Sequence, residues 1–197
     1  MLSPDFTPFP ELSTERLVLR ELTLNDAPQV QELRSNPDVM KYISRPLTTT
    51  LELARAWISV VIDALKNSNG ITWCMCLKEN PAEHVGNVGL WRWEKENHRA
   101  EIGYMINPSL QGNGLMCEAV REVLRYGFTE LNLHSIEGRI DPRNEASARV
   151  LERTGFKKEG YLRESYNLRG EFVDTAIYSV LNPNRSTGSA DLKSAVK

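Results

Sequence analysis

The first regular pattern along the chain is an alternation of apolar and polar residues in ERLVLREL, residues 15–22. One side of this segment, drawn as an extended chain, carries Leu17, Leu19 and Glu21, and the other side carries Arg16, Val18, Arg20 and Leu22. A period of two is that of a half-buried strand, so the segment predicts a β-strand.

Two helical patterns follow this strand. Asn25 or Asp26 can cap the first helix, Pro28 suits its first turn, and Pro37 marks its end. The second helix, within residues 48–67, has Thr50 in position to cap it and SNG, residues 68–70, to stop it. The apolar stripe that predicts its buried face consists of Leu53, Trp57, Val60, Val61, Ala64 and Leu65.

Three strands come next, with short connections between them. They are ITWCMCLKE (71–79), HVGNVGLWRW (84–93) and AEIGYMIN (100–107), and Pro108 ends the third. The turn ENPAE joins the first two. Short connections imply an antiparallel meander.

The last third of the chain adds two helices and three strands. A helix is predicted over residues 112–131, a strand over HSIEGRI (134–140), and a second helix that Asn144 caps and Gly155 ends. Residues 156–181 are predicted to form two long strands joined near NLRG. We therefore expect a single-domain α/β fold, a mixed and mostly antiparallel sheet flanked by helices. Residues 1–11 are interpreted as an arm, 12–182 as the domain and 183–197 as a polar tail.

Composition narrows the class of protein. The 197 residues suit one domain, and 41% hydrophobic residues can form a substantial core. The net charge of −2 argues against a nucleic-acid partner, and no apolar run approaches the roughly 20 residues of a membrane span. Three cysteines and the lack of a secretory signal pattern indicate a cytoplasmic protein with free thiols.

The clearest chemical signal is QGNGLM, residues 111–116, where two glycines stand directly before a predicted helix. Glycines let backbone amides approach a ligand, and the first amides of a helix favour an anion. A phosphate or pyrophosphate is the natural ligand of the amides from Gln111 to Met116, which include those of Gly112, Asn113, Gly114 and Leu115.

The glycine turn has three interpretations. A P-loop fails, because Leu115 and Met116 stand where a lysine and a Ser or Thr are needed. A dinucleotide fingerprint is weak, since Cys117 replaces its third small residue and Glu137 lies in mid-strand. A tight turn with no ligand is the third interpretation.

Three separated motifs favour a ligand-binding turn over a turn with no ligand. LSTERLVLREL, HRAEIGYMINPSLQGNGLMCEAV and IDPRNEASARVLERTGFKKEGYLRES resemble the GNAT acetyltransferase superfamily, and within it the RimJ/RimL branch of ribosomal-protein N-acetyltransferases. The resemblance covers about residues 12–181. The glycines of the family's pyrophosphate motif fall on Gly112 and Gly114, while Ser109 departs from its first position, Gln or Arg.

The resemblance implies a sheet whose two central strands, EIGYMIN and SIEGRI, splay apart around coenzyme A. Backbone groups of Tyr104, Met105 and Ile106 would pair with the pantetheine. Asn144 would contact the cofactor as well as cap its helix. The cosubstrate implied is acetyl-coenzyme A, with no metal.

The resemblance also implies the catalytic groups. Glu101 would act as general base on the acceptor amine, and Ser147 is a candidate acid for the leaving thiolate, with water as the alternative. Many members use a tyrosine at the position of Leu151, so that tyrosine is absent here. A backbone N–H near Met105 or Ile106 would stabilise the oxyanion.

Other residues have weaker signals. Cys117, in the first turn of its helix, permits a covalent acetyl-enzyme, although the family mechanism implied is direct attack. Cys74 and Cys76 share one face of a strand without a second ligand pair, so no metal is expected. Trp91 and Trp93 are placed on one face of their strand, as core or as groove wall. Tyr166 and Arg169 are weak candidates for substrate contact, and Asp174 has no assigned role.

The function expected is transfer of acetyl to an amine, with a protein N-terminal α-amine, such as that of a ribosomal protein, as the first acceptor. A small-molecule amine, such as a polyamine, amino acid or antibiotic, is the second possibility, and a coenzyme A-binding module without catalysis is the third. A peptide groove should be open and flat, whereas a small-amine pocket should be narrow and acidic. The oligomeric state stays open between monomer and homodimer.

Overall fold

A computed structural model describes Leu2 and residues 4–184. The helices are α1 (Ala27–Ser35), α2 (Leu51–Lys66), α3 (Leu115–Thr129) and α4 (Glu145–Arg153). The strands are β1 (Leu12–Ser13), β2 (Leu17–Glu21), β3 (Gly70–Leu77), β4 (Gly86–Glu94), β5 (Arg99–Ile106), β6 (Ser135–Ile140), β7 (Lys157–Leu168) and β8 (Glu171–Leu181). The mixed α/β class is confirmed, and so is the predicted element order apart from β1, a two-residue strand that was not predicted.

All eight strands form one sheet in the order β1-β2-β3-β4-β5-β6-β8-β7. Every neighbouring pair is antiparallel except β5 and β6, which are parallel and are connected through α3. Only three residue pairs join β5 to β6, from Arg99↔Ser135 to Glu101↔Glu137. Beyond Glu101 the two strands separate, so the expected splayed pair is present in the middle of the sheet.

Two apolar clusters cover the two sides of the sheet. The larger lies on the α3 side, where Val120 and Val123 pack over Val88, Leu90 and other side chains of the central strands. The smaller lies on the α2 side, where Ala54 and Ile58 pack on Cys74 and Cys76 of β3. We refer to these as the α3 side and the α2 side of the sheet.

The predicted buried stripe of α2 is only partly correct. Ala54 and Ile58 are the fully buried residues, whereas Leu53 is 48% and Val60 is 66% exposed. The exposed polar residues Glu52, Arg55, Ser59 and Asp63 do form one stripe, but the predicted apolar stripe is rotated away from the residues that contact the sheet. The predicted cap of α2 is confirmed, because the Thr50 side chain accepts a hydrogen bond from Leu53 N. The Asp26 side chain, by contrast, makes no cap hydrogen bond to α1.

The two tryptophans predicted to share one face of β4 lie on opposite sides of the sheet. A bulge between Trp91 and Glu94, with φ +50° at Arg92, breaks the alternation of side chains. Trp93 packs beside Phe6 in the core of the α3 side, with ring centroids 6.4 Å apart, while Trp91 lies over Gly103. Alternation along a strand predicts faces only where the strand has no bulge.

The N-terminal segment packs on the domain. Leu2 donates a backbone hydrogen bond to the Lys95 carbonyl, and the Trp73 indole donates to the Pro10 carbonyl at 2.7 Å. Most of the predicted C-terminal tail, from residue 185 onwards, lies outside the described residues. Among the helices of the described part, none is long and apolar enough to cross a bilayer.

Candidate active site

The loop between β5 and α3 carries its two glycines in left-handed backbone conformation. φ is +80° at Gly112 and +78° at Gly114, the residue directly before α3. Glycine reaches this region without strain. In the part of the chain that the structure describes, the amides from Gly112 to Cys117 have no hydrogen-bond acceptor. Six free amides at the positive end of a helix dipole are suited to an anion.

Arg16 brings a positive charge to the same loop. Its guanidinium donates to the Asn113 carbonyl at 3.0 Å and to the Glu118 carboxylate at 2.8 Å. Glu118 also accepts the Arg16 backbone N–H. No local pattern links Arg16 to the loop, because almost a hundred residues separate them and only the packing of α3 on the N-terminal strands brings them together.

A cleft of about 790 Å³ opens where β5 and β6 separate. Since β6 pairs with β5 only as far as Glu101, the β6-facing edge of β5 is left without a strand partner over Tyr104, Met105 and Ile106. An extended ligand with amide groups can hydrogen-bond to such an edge. Tyr104 and Met105 of this free edge line the cleft, and the glycine loop follows β5 in the chain.

Glu101 lies on the floor of the cleft, at the last residue pair before the strands diverge. It is 8% exposed, and its Oε2 accepts a hydrogen bond from Arg92 Nη1 at 2.8 Å. Burial raises the pKa of Glu101 above its usual range, although the Arg92 charge opposes the shift. A carboxylate shifted in this direction is a better proton acceptor than an exposed one.

A second carboxylate stands beside Glu101 on β6. Glu137 is its register partner, is 5% exposed, and is held by both Arg99 and Arg139, with Arg139 Nε at 2.9 Å. The Glu137 charge also raises the pKa of Glu101. Glu137 was considered from the sequence only as a poor dinucleotide ligand. Its place next to Glu101 follows from the register of a parallel strand pair, which no local pattern reveals.

Ser147, Tyr104 and Asn144 form one hydrogen-bonded group at the edge of the cleft. The Ser147 and Tyr104 hydroxyl oxygens are 2.9 Å apart, and Tyr104 also donates to the Ser147 carbonyl. Asn144 Oδ1 accepts the Ser147 N–H at 3.1 Å, which confirms the predicted cap of α4. Burial raises the pKa of Tyr104. The sequence identified Tyr104 only for its backbone, and its hydroxyl is the feature that was missed.

Leu151 occupies the position where a tyrosine was noted as absent. It is fully buried, and a Cβ added to Gly138 would lie 3.0 Å from its Cδ2. Its side chain packs against β6, so this position presents only apolar surface to the cleft. Ser147 and Tyr104 line the same cleft and supply hydroxyls that lie within hydrogen-bond distance of each other.

The far wall of the cleft is formed by the loop after α1 and the β7–β8 hairpin, which are bonded to each other. Arg169, at the tip of the hairpin, donates to the Met40 carbonyl at 2.7 Å, and Ser44 donates to the Asn167 carbonyl at 2.8 Å. Arg169 therefore has a structural contact, while Tyr166 lines the cleft. Both had been weak candidates for substrate contact.

Asp174 has a structural contact as well. It accepts hydrogen bonds from the Tyr161 hydroxyl and from the Glu164 backbone N–H. Glu164 has φ +47° and lies within an irregular stretch of β7 between Leu162 and Tyr166. Asp174 thus holds the irregular part of the hairpin that curves over the cleft.

The three cysteines are free thiols. Cys74 and Cys76 share one face of β3, as predicted, with sulfur atoms 3.6 Å apart in the core, and Cys117 is buried in the first turn of α3. Among the described residues, no group of three or more His, Cys, Asp or Glu side chains is arranged to hold a metal ion.

Comparison with known proteins agrees with this geometry. The model of the acetyltransferase (GNAT) domain matches residues 16–157. The uncharacterized N-acetyltransferase p20 of Bacillus licheniformis is 36% identical over 170 residues, 86% of this chain and 95% of that protein. A crystal structure of a GNAT-family acetyltransferase from Bacillus anthracis has a TM-score of 0.79 at 32% identity, covering 88% of this chain and 99% of that one. The chain belongs to the GNAT acetyltransferase family, and it is an N-acetyltransferase.

Relatives with named acceptors fall into two groups. Spermidine N(1)-acetyltransferase of Escherichia coli is 29% identical over 161 residues, 81% of this chain and 83% of that enzyme. The ribosomal protein uS5-alanine N-acetyltransferase of Escherichia coli is 33% identical over 91 residues, 46% of this chain and 47% of that enzyme. The corresponding enzyme of Vibrio fischeri shares the fold, with a TM-score of 0.79 at 23% identity over 90% of this chain and 99% of that one. Relatives from the ribosomal-protein branch, predicted from the motifs, are therefore present.

Proposed function

We propose that the protein transfers acetyl from acetyl-coenzyme A to the α-amine of a protein N-terminus by direct attack, with Glu101 as general base. The observation that carries this proposal is the buried carboxylate of Glu101 at the divergence of β5 and β6. An α-amine has a pKa of about 8, against about 10.4 for lysine, so a carboxylate can deprotonate it more readily.

Coenzyme A would lie across the cleft from the glycine loop to the floor. Its pyrophosphate would accept hydrogen bonds from the free amides of Gly112, Asn113, Gly114, Leu115 and Met116, whereas the predicted Gln111 amide already donates to the Pro108 carbonyl at 3.2 Å. Its pantetheine amides would pair with the free edge of β5 at Tyr104, Met105 and Ile106. Asn144, whose Oδ1 is used by the cap, retains its side-chain N–H groups for the cofactor.

The reaction needs one proton to leave the amine and one to reach the thiolate. Glu101 removes the proton from the ammonium group, the neutral nitrogen attacks the thioester carbon, and a C–N bond forms. A backbone N–H near Met105 or Ile106 stabilises the oxyanion until the C–S bond breaks. The Ser147 hydroxyl, hydrogen-bonded to Tyr104, then protonates the departing thiolate.

The charge of the cleft favours a peptide over a polyamine. Four arginines line it, Arg34, Arg45, Arg92 and Arg139. Its three acidic residues already have partners: Glu101 bonds to Arg92, Asp141 to Arg143, and Asp174 to Tyr161. Arg92 and Arg139 are themselves paired with Glu101 and Glu137, so the arginines of the described lining that form no ion pair are Arg34 and Arg45. Asp174, bonded to a neutral phenol, is the single lining carboxylate without a cation, so a polycation would meet more free positive than negative charge.

The test is the pH dependence of Glu101→Gln. Acetyl transfer to an Ala-initiated peptide, followed as release of free thiol, should lose about 10²–10³-fold in kcat. In the unmodified protein, kcat/KM should rise with pH through a value above the usual glutamate range, since only the ionised base accepts a proton, and this acidic limb should disappear in the variant. Glu96→Gln, in the exposed turn after β4, is the matched control.

Calorimetric titration with acetyl-coenzyme A completes the experiment. Binding that Glu101→Gln leaves intact would place the loss in the chemical step. Full activity of Glu101→Gln across pH would overturn the assignment of the base. Tight cofactor binding without transfer to any peptide or small amine would instead indicate a non-catalytic coenzyme A-binding module.

A further inference from the structure

Arg34 is a buried arginine that lines the cleft. It lies in the last turn of α1 and is 6% exposed. Its Nε donates to the Thr48 hydroxyl at 3.2 Å, and its guanidinium carbon lies 4.5 Å from the centre of the Trp57 ring. The backbone also joins Thr48 N to the Arg34 carbonyl at 3.1 Å. The guanidinium is thus fixed in position from two sides.

No carboxylate neutralises this guanidinium within the described part of the chain. Arg34 forms no ion pair there, and its two terminal nitrogens donate to no protein acceptor. Burial lowers the pKa of Arg34 to about 10, and the charge of a second cation, Arg45, acts in the same direction. Arg45 is exposed and lines the same cleft.

An unmatched buried cation is costly, because it loses hydration without gaining a counter-charge. Folded proteins retain such groups mainly where a ligand completes them, and the planar guanidinium matches carboxylate or phosphate oxygens in pairs. Thr48 already accepts from Nε, and Trp57 covers one face of the guanidinium plane. Only the terminal nitrogens are left for a ligand.

We propose that Arg34 and Arg45 form an anion subsite, which binds a carboxylate or phosphate carried by the acceptor close to its amine. For a protein N-terminus this group is an acidic or phosphorylated side chain within the first few residues. This inference rests on the proposed function for the place of the acceptor in the cleft. The same pair repels an acceptor that carries a second positive charge.

The test uses matched peptides with the same N-terminal alanine. Ala-Glu and Ala-phosphoserine peptides are compared with their Ala-Gln and Ala-Ser counterparts, all amidated at the C-terminus. The unmodified protein should acetylate at least one anionic peptide with a kcat/KM about tenfold or more above its neutral counterpart. Preference for the glutamate peptide alone identifies a carboxylate ligand, and preference for the phosphoserine peptide alone identifies a phosphate.

Variants of the two arginines locate the effect. Arg34→Gln should abolish the preference for the anionic peptides. Because Arg34 is buried and its loss can impair folding, Arg45→Gln is tested in parallel, and this exposed position should lose part of the preference in a folded protein. Arg55→Gln, an exposed arginine on α2 outside the cleft, is the matched control and should retain it.

Binding of the N-acetylated peptides, measured by calorimetry with coenzyme A present, separates the two proposals. If no peptide is turned over but the anionic products still bind more tightly than the neutral ones, and Arg45→Gln reduces the difference, the subsite stands and the proposed reaction falls. Equal turnover and equal binding of anionic and neutral peptides would overturn the subsite while leaving the acetyltransferase assignment untouched.

Discussion

At the scale of single residues, the site owes its properties to close neighbours rather than to residue type. Glu101 is an ordinary glutamate in sequence, but burial raises its pKa and Arg92 keeps it oriented. Tyr104 shows the same principle, since its hydroxyl enters the site only because α4 places Ser147 opposite it. Composition alone gives neither of these contacts.

Gly103 is the residue where the smallest substitution should have a large effect. A Cβ at this position would lie 2.1 Å from Cη2 of Trp91, so Gly103→Ala must displace the indole from the cleft wall. We expect a loss of about 1–3 kcal/mol in the free energy of unfolding, as for other overpacked sites, and a higher KM for the acceptor. Urea unfolding and steady-state kinetics would measure the two effects.

Gly160→Ala on β7 is the control for Gly103→Ala. The nearest atoms to its added Cβ are 3.9 Å away, so stability should change little. The double variant Trp91→Ala, Gly103→Ala should cost less than the sum of its single changes, because removing the ring removes the clash. Simple additivity would show that Trp91 is not the group displaced.

At the scale of elements, the hairpin and the loop after α1 act as one wall because a few hydrogen bonds join them. Arg169 is a turn residue with φ +55°, next to Gly170 at φ +97°. The predicted NLRG turn is confirmed, and the Arg169 side chain in this turn reaches the Met40 carbonyl. The same segment therefore closes the hairpin and positions the cleft wall.

Arg169→Ala should loosen this wall without affecting the coenzyme A loop. We expect KM for the acceptor to rise several-fold and the amides of residues 40–45 to exchange hydrogen faster, since their tether is lost. The dissociation constant for acetyl-coenzyme A should not change. An equal loss of acetyl-coenzyme A affinity, or unchanged acceptor kinetics, would contradict this role; Arg55→Ala serves as the control.

At the scale of the whole molecule, the buried His84 links folding to pH. It lies in the turn between β3 and β4, is 5% exposed, and has no hydrogen-bond partner for either ring nitrogen among the described residues. Burial lowers the pKa of His84 from 6.5 to about 4. Between about pH 6.5 and pH 4, the His84 ring is therefore protonated in the unfolded chain and neutral in the folded protein.

His84 should make the protein less stable as pH falls through this window. The difference in pKa corresponds to about 3 kcal/mol of unfolding free energy, fully present above pH 6.5 and lost towards pH 4. His84→Phe should remove that part of the pH dependence in urea unfolding, measured at pH 7 and pH 4.5. His134→Gln, at an exposed position, should retain it; the same slope in both variants would exclude His84 as its source.

Local backbone chemistry and short periodicity were enough to predict most of the element order, the caps at Thr50 and Asn144, and the glycine loop at Gly112 and Gly114. Its motifs also predicted the GNAT family correctly. The buried face of α2 was predicted only in part, because the polar stripe marks the exposed side but not which apolar residues contact the sheet. The shared face of Trp91 and Trp93 was predicted wrongly, because a bulge breaks the alternation of β4.

Contacts between residues far apart in the chain come from the packing of whole elements. Arg16 reaches the glycine loop, Glu137 lies beside Glu101, and the Arg34 guanidinium is buried without a counter-charge. These contacts follow from the parallel register of β5 and β6 and from the packing of loops on the sheet. Such pairings depend on how separate elements pack together, and a local pattern of residues does not contain that information.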